Sequence, residues 1–209
     1  MKKAHFSKKE AIKFGFELAK KNIVFFIGVF IIVAVFSGLS SFLKNLVNPQ
    51  KEFLLYALLY LVLFVVNMVI SIGLIKITLE FIDGKKPKFT DLAFYKPLVN
   101  FFVASILQGL IVIGGVILLI IPGIIFSVRL RYVSYLIVDK NLTPVEAIKK
   151  SWSITRGNTW NLFFFGILIG LINILGVICL LVGLFITVPL GMLASASVYR
   201  KLLLQSEAA

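Results

Sequence analysis

Two arginines stand in the middle of an apolar run, "PGIIFSVRLRYVSYLIV", at residues 122–138. Arg129 and Arg131 are fixed cations, because a guanidinium keeps its proton in proteins. Such a group binds phosphates and backbone carbonyls through several N–H donors. At the centre of a bilayer each arginine costs about 2.5–3.5 kcal/mol on insertion scales. The sequence therefore predicts that these side chains have partners.

Three interpretations of the two arginines are open. In the first, Arg129 hydrogen-bonds to polar neighbours or to carbonyls freed near a turn. In the second, Arg129, Arg131 and Lys76 line a cytoplasm-facing pocket that binds a lipid phosphate or another anion. In the third, both arginine side chains extend along the helix to the headgroups. The polar neighbours considered are Asn67, Gln108 and Asn173.

Residues for other chemistry are scarce. All nine Asp and Glu residues lie outside the apolar runs, and the only histidine and cysteine are His5 and Cys179. General acid–base catalysis and metal binding need such groups to converge. No Gly-rich loop followed by Lys-Ser or Lys-Thr offers a phosphate-binding site. We therefore expect no enzyme, no cofactor and no metal.

The composition indicates a membrane protein. Of the 209 residues, 60% are hydrophobic and 15% are charged, with a mean hydropathy of +1.03. Soluble domains are about 45–50% apolar and about 25% charged, and a globule of this length still exposes much of its surface. A bilayer-crossing helix needs about 20 apolar residues. We predict an all-α polytopic helical bundle with six transmembrane helices arranged as three hairpins.

The predicted organisation is a single membrane domain over residues 1–209, in which amphipathic cytoplasmic segments alternate with the hairpins. Pro122 and Gly123 form a pair typical of turns and are predicted to make the second hairpin turn. Pro189 is predicted to kink the sixth span. The segments are an interfacial helix at 1–21, hairpin 1 at 22–82, an interfacial segment at 83–97, hairpin 2 at 98–138, an interfacial helix at 139–157, hairpin 3 at 158–204 and a tail at 205–209.

The distribution of Lys and Arg predicts the orientation. Of these 22 residues, seventeen lie in the N-terminus, the second–third loop, the fourth–fifth loop and the C-terminus, whereas the opposite side has only Lys44 and Lys51. The positive-inside rule then places both termini in the cytoplasm of a prokaryotic cell. The net charge of +13 is explained by this topology. We expect no nucleic-acid partner, because no basic stripe is interleaved with exposed aromatics.

Two of the cytoplasmic segments have the pattern of capped amphipathic helices. "SKKEAIKFGFELAKKN" begins with Ser7 and Glu10, and "TPVEAIKKSWSITRGNTW" begins with Thr143 and Glu146; both pairs match a capping box. We predict that both helices lie in the membrane interface, with their lysines toward anionic headgroups. The predicted interfacial anchors are Lys149, Lys150, Trp152 and Trp160.

The sequence also contains an internal repeat. Residues 100–125 align with residues 161–186, and half of the aligned positions are identical, with Asn and Gly residues in register. At the same offset Arg129 corresponds to Leu190, and Arg131 corresponds to Met192. Building the bundle therefore does not by itself require arginine at these positions. The chain is predicted to consist of three units, each an interfacial helix followed by a hairpin.

The stretches "IIPGIIFSVRLRY" and "TPVEAIKKSWSITRGNTWNLF" resemble a known prokaryotic family. It is the six-span membrane-domain family named after glycerophosphoryl diester phosphodiesterases, with related domains of unknown function. The resemblance implies a six-span membrane domain over essentially the whole chain. In some relatives a soluble phosphodiesterase domain carries the catalysis. We expect no such activity here, because this sequence has no such domain.

The leading functional prediction is a non-enzymatic integral membrane protein that binds or organises anionic lipid at the cytoplasmic leaflet. A first alternative is a transporter or channel for an anionic or amphipathic solute. A second alternative is a membrane partner or immunity-type protein that sequesters another membrane protein. Membrane lipids are the expected partners, and a homo-oligomer is left open. The side chains that would line a solute path are Asn67, Gln108, Asn161 and Asn173.

Overall fold

The structure, a computed structural model, describes residues 6–48, 50–179 and 182–207, and these residues form nine α-helices and one 3₁₀ helix. Residues 1–5 of the predicted interfacial helix and residues 208–209 of the predicted tail lie outside the described residues. The helices are α1 (Lys8–Lys21), α2 (Ile23–Leu46), α3 (Phe53–Ile82), the 3₁₀ helix (Phe89–Ala93), α4 (Leu98–Leu118), α5 (Ile120–Arg129), α6 (Val133–Lys140), α7 (Pro144–Ile154), α8 (Thr159–Ile178) and α9 (Leu184–Glu207).

Five segments within the described ranges are long and apolar enough to cross a membrane. This agrees with the predicted all-helical membrane protein. The helix α9 is not among the five, because its C-terminal half carries serines together with Arg200 and Lys201. The sixth span therefore stays a prediction. The five segments are Ile23–Leu46, Phe53–Ile82, Leu98–Leu118, Ile120–Lys140 and Thr159–Ile178.

The predicted position of the second hairpin turn was wrong. The helical chain breaks at Leu119, which is extended (φ −168°, ψ 147°), and both Pro122 and Gly123 lie in the first turn of α5. Proline is tolerated in the first turn because its missing N–H would have no partner there. Gly123 instead allows close approach, since a Cβ on Gly115 of α4 would lie 3.0 Å from the Gly123 Cα. The pair thus starts α5 and packs it against α4.

The helix α9 lies at the centre of the protein, and twelve of its residues are buried. The helix α1 packs along α9 with a face of small residues, Ala11, Gly15 and Ala19. A Cβ on Gly15 would lie 2.7 Å from the Leu190 carbonyl oxygen. Small residues let helix backbones approach closely in membrane proteins. This small-residue face was not predicted from the sequence.

The predicted capping box forms at the start of α7, and at the start of α1 the Ser7 half of the predicted box forms. The Glu10 N–H donates to Ser7 Oγ at 3.3 Å. At α7, the Glu146 carboxylate accepts from the Thr143 N–H at 3.0 Å and from its hydroxyl at 2.7 Å. At the other end of the chain, α9 continues to Glu207, so the predicted tail is helical at residues 205–207.

The internal repeat has a structural counterpart. The Asn100 side-chain amide of α4 donates to the Leu142 carbonyl at 3.5 Å, and the Asn161 amide of α8 donates to the Phe6 carbonyl at 3.0 Å. Leu142 and Phe6 each directly precede the capping residue of an amphipathic helix. Equivalent asparagines therefore hold the starts of α7 and α1. The last unit of the chain in this way contacts the first.

Candidate functional site

Arg129, at the end of α5, joins this helix to α7. Its Nη2 donates to the Trp152 carbonyl at 2.9 Å, and its guanidinium carbon lies 3.8 Å from the centroid of the Trp152 ring. The Arg129 carbonyl in turn accepts from Ser151 Oγ at 2.7 Å. Carbonyls in the last turn of a helix lack intrahelical partners. The geometry therefore matches the first interpretation, in which the arginine binds a carbonyl near a helix end.

The contacts leave part of Arg129 unsatisfied. Its Nε is buried and has no hydrogen-bond partner among the described residues. No carboxylate lies within 4.0 Å of this guanidinium in the described ranges. An unpaired buried donor costs about 1–3 kcal/mol. Among the residues that the structure describes, the groups that stabilise the positive charge of Arg129 are thus a carbonyl dipole and an aromatic ring.

A groove of about 350 Å³ lies beside this contact, between α4, α5 and α7. We call it the α7 groove. Trp152, which stacks on Arg129, forms part of its wall, and the exposed Lys149 lies on its rim. The remaining lining is aliphatic or aromatic. The lining residues are Ile111, Phe126, Leu130, Ile148, Lys149 and Trp152.

Arg131 lies in the break between α5 and α6 and contacts different helices. Its Nη2 donates to Ser195 Oγ of α9 at 3.4 Å, and its guanidinium lies 5.6 Å from the centroid of the Phe165 ring of α8. Arg131 is half-buried. The two arginines therefore have separate partners.

The structure pairs Lys76 with carboxylates. Its Nζ lies 2.6 Å from Asp91 Oδ1 and 3.7 Å from Glu80 Oε1. Burial raises the pKa of Asp91, but the hydrogen bonds from the Lys76 ammonium and the Lys88 N–H outweigh it and hold the pKa below its usual value. Because two acids balance its charge, Lys76 has no free charge to add to the arginine site, contrary to the second interpretation.

A polar cluster that was not predicted from the sequence joins three helices. Arg200 of α9 donates to Asp83, at the end of α3, at 2.9 and 2.7 Å, and to Asp139 of α6 at 2.6 and 2.8 Å. The Tyr199 hydroxyl also donates to Asp139, at 2.8 Å. The available signal was that Asp83 and Asp139 directly follow the predicted hairpins 1 and 2, which end at residues 82 and 138. Acids at span ends and a basic residue in the last helix are candidates for such a link.

The predicted interfacial anchors differ in their surroundings. Trp160 is 62% exposed, as an interfacial anchor requires. Trp152 is only half-exposed and lies between the Arg129 guanidinium and the Phe126 ring, whose centroid is 5.6 Å away at an interplanar angle of 55°. Trp152 is therefore a wall of the groove and a platform for the arginine. Of the two lysines on α7, Lys149 is exposed and Lys150 is half-buried.

The asparagines predicted to line a solute path are mostly used within the bundle. The Asn67 amide donates to the Leu63 carbonyl of its own helix at 2.8 Å, and Asn161 holds the start of α1. The Asn173 Oδ1 is buried and lacks a hydrogen-bond partner in the part of the chain that the structure describes. In the described ranges, the hydrogen bonds of Asn67 and Asn161 do not join these side chains to each other or to Asn173.

The fold and the site define an all-helical protein with several helices able to span a membrane, whose amphipathic helices pack onto the bundle. The chain is similar to the uncharacterized protein Rv2560 of Mycobacterium tuberculosis (strain ATCC 25618 / H37Rv), with 26% identity over 174 residues that cover 79% of this chain and 51% of the relative. It is similar to the uncharacterized protein Mb2590 of Mycobacterium bovis (strain ATCC BAA-935 / AF2122/97), with 26% identity over 175 residues and the same coverage. The chain thus spans about half the length of these curated relatives. No family model matches the chain, and no solved structure matches it.

Proposed function

We propose that this chain is a non-enzymatic protein of the prokaryotic cytoplasmic membrane that binds anionic lipid at the cytoplasmic leaflet. In this proposal the bundle has six spans in three hairpins and both termini lie in the cytoplasm. The helix α9 supports the sixth span by its length. Its 24 residues extend about 36 Å at about 1.5 Å per residue, which exceeds a hydrocarbon core of about 30 Å.

The observation that carries the proposal is the positive charge at and beside the α7 groove. Lys149 lies on the rim of this mostly apolar groove, and Arg129, which contacts the Trp152 wall without lining the groove itself, has no carboxylate partner in the described ranges. A phospholipid complements both properties, since its phosphate pairs with cations and its acyl chain matches the apolar wall. The lysines of α1 and α7 add further positive charge at the expected level of the headgroups.

The proposal is tested by lipid retention. Wild type and variants are purified in mild detergent, titrated with phosphatidylglycerol or phosphatidylcholine, and examined by native mass spectrometry. Wild type should retain phosphatidylglycerol in preference to phosphatidylcholine. Arg129→Ala and Lys149→Ala should each weaken phosphatidylglycerol retention by about fivefold, because one basic residue near an anionic lipid surface contributes about 1 kcal/mol.

The matched control is Lys51→Ala, which removes one exposed charge from the loop between α2 and α3. It should leave retention unchanged. Lys149→Ala keeps the test meaningful if loss of the Arg129–Trp152 contact unfolds the arginine variant. Equal retention of the two lipids by wild type would refute the proposal. Solute flux into proteoliposomes containing the protein would instead indicate the transporter or channel alternative.

A further inference from the structure

A second and larger groove lies between α1, α8 and α9. It has a volume of about 1010 Å³, at the upper end of the range of about 300–1,000 Å³ for ligand pockets. We call it the α1 groove. Its deep wall is aliphatic, and its lining at α1 includes three lysines. The residues used below are Lys8, Lys9, Lys13, Leu168, Thr187 and Leu190.

The two grooves occupy equivalent places in the internal repeat. The segment 7–22 aligns with 143–158, and both contain the tetrapeptide Glu-Ala-Ile-Lys. Three residues of α1 that line its groove therefore correspond to three residues of α7 that line the other groove, and Ile172 of α8 corresponds to Ile111 of α4. The α1 and α7 pairs are Ile12 with Ile148, Lys13 with Lys149, and Phe16 with Trp152.

The backbone packing is equivalent as well. The Ser151 hydroxyl of α7 donates to the carbonyl of Arg129. At the corresponding position of α1, Gly15 lies directly against the carbonyl of Leu190, which corresponds to Arg129. Each amphipathic helix therefore rests on the same part of its neighbouring unit. The repeat builds the same type of groove twice.

The repeats differ at two positions in or beside the grooves. Phe126, which lines the α7 groove, corresponds to Thr187, which lines the α1 groove. Arg129, stacked on Trp152, corresponds to Leu190. The α1 groove, with Thr187 and Leu190 in its lining, has a volume of about 1010 Å³, whereas the α7 groove, with the Phe126 ring in its lining, has a volume of about 350 Å³.

We propose that the α1 groove binds an anionic phospholipid, with an acyl chain along α8 and α9 and the phosphate against Lys8 and Lys9. This inference rests on the proposed function and names the principal lipid site. Neither lysine has a carboxylate within 4.0 Å in the described part of the chain, whereas Lys13 pairs with Glu17 at 3.9 Å. The Lys8 ammonium lies 5.4 Å from the centroid of the Phe164 ring, which leaves its charge unneutralised. Cations without a carboxylate partner beside an apolar groove fit a ligand with an anionic head and an apolar tail.

The first test removes the two free lysine charges. Lys8→Gln with Lys9→Gln should weaken phosphatidylglycerol retention in native mass spectrometry by about 30-fold, since each lysine near an anionic lipid contributes about fivefold. Retention of phosphatidylcholine should not change. The matched control, Lys85→Gln with Lys86→Gln, removes two charges from an exposed turn and should leave both lipids unaffected. Equal losses in the two double variants would overturn the assignment.

The second test fills the groove without changing the charge. Leu168→Trp places an indole in the lining of the α1 groove and should weaken retention of both lipids by about tenfold or more. Leu171→Trp changes the same residue type three positions along α8, at an exposed site that does not line the groove. It should bind both lipids as wild type does. Thermal unfolding and gel filtration of each variant establish that it is folded.

The outcomes separate this inference from the proposed function. If Leu168→Trp and Leu171→Trp bind phosphatidylglycerol equally while Arg129→Ala and Lys149→Ala weaken its binding, the α1 groove is not the lipid site and the proposed function stands. If wild type shows no preference for phosphatidylglycerol over phosphatidylcholine, the proposed function itself fails.

Discussion

Replacing Arg200 by alanine should destabilise the protein more than any other single change of a charged residue at the helix ends. Arg200 makes four hydrogen bonds to Asp83 and Asp139 and thereby joins α9 to α3 and α6. The side chains of Arg200 and Asp139 are 20% and 13% exposed, whereas that of Asp83 is 32% exposed. Water can therefore replace the arginine at Asp83 more readily than at Asp139.

The expected loss follows from these exposures. Removing one member of a buried ion pair costs about 3–5 kcal/mol, because the other charge stays buried and unpaired. The Tyr199 hydroxyl remains as a donor to Asp139 and offsets part of this cost, while an exposed pair contributes about 0–1 kcal/mol. We expect Arg200→Ala to lower the free energy of unfolding by about 3–4 kcal/mol. The Arg200→Lys variant should retain less than half of the stability that Arg200→Ala loses, because an ammonium cannot bind both carboxylates in a bidentate manner.

The assay is reversible unfolding in mixed micelles, followed by circular dichroism. The matched control is Lys201→Ala at the next position, where the ion pair with Glu10 is 3.4 Å long and both side chains are exposed. That variant should lose no more than about 1 kcal/mol. If Arg200→Ala and Lys201→Ala are equally destabilised, the cluster is a solvated surface pair and the reasoning is refuted.

Three further predictions use the same unfolding assay. Gly15→Ala should lower the free energy of unfolding by about 1–3 kcal/mol, because its Cβ would lie 2.7 Å from a backbone oxygen of α9. Gly38→Ala has open space around the new Cβ, so it should leave the free energy of unfolding unchanged or raise it. Asn161→Ala should cost about 1 kcal/mol and speed hydrogen exchange at the start of α1; unchanged exchange there would contradict the role given to its amide. The pKa of Asp91 is lowered in the folded state, so its pairing with Lys76 stabilises the protein above the unfolded-state value of about 3.9 and is lost as the pH falls further. Wild type and Asp91→Asn should therefore differ in free energy of unfolding at pH 7 and converge below pH 4. A difference between the two proteins that stays constant with pH would rule this out.

The candidate site could be predicted only in part from the sequence. The unusual position of Arg129 in an apolar run correctly indicated a side chain that needs partners. Its partner, the Trp152 carbonyl, is 23 residues away and belongs to a helix whose position depends on packing. Lys76 looked like a third cation of the same site until the structure placed two acids beside it. Which charges are already balanced depends on contacts between segments that are distant in the chain.

The hairpin turn shows why local signals have limits. Proline and glycine together favour a turn, but the same two residues also suit the first turn of a helix and a close helix–helix contact. In the structure Pro122 and Gly123 lie in the first turn of α5, and Gly123 packs against Gly115 of α4. This arrangement is possible because the helical chain breaks at Leu119 instead. A residue's conformational preference restricts the backbone at its own position. It does not select among the packings that satisfy the preference.

The sequence by itself determined the helical class, the apolar segments that suit a membrane, the caps of α1 and α7, and the repeat between residues 100–125 and 161–186. These features depend on composition, periodicity and short-range hydrogen bonds, which are local in the chain. Only the tertiary structure decided that α1 packs on α9, that Arg200 joins three helices, and that two equivalent grooves differ in volume. Those outcomes depend on which surfaces meet, and the free energy of such contacts is shared among residues far apart in sequence.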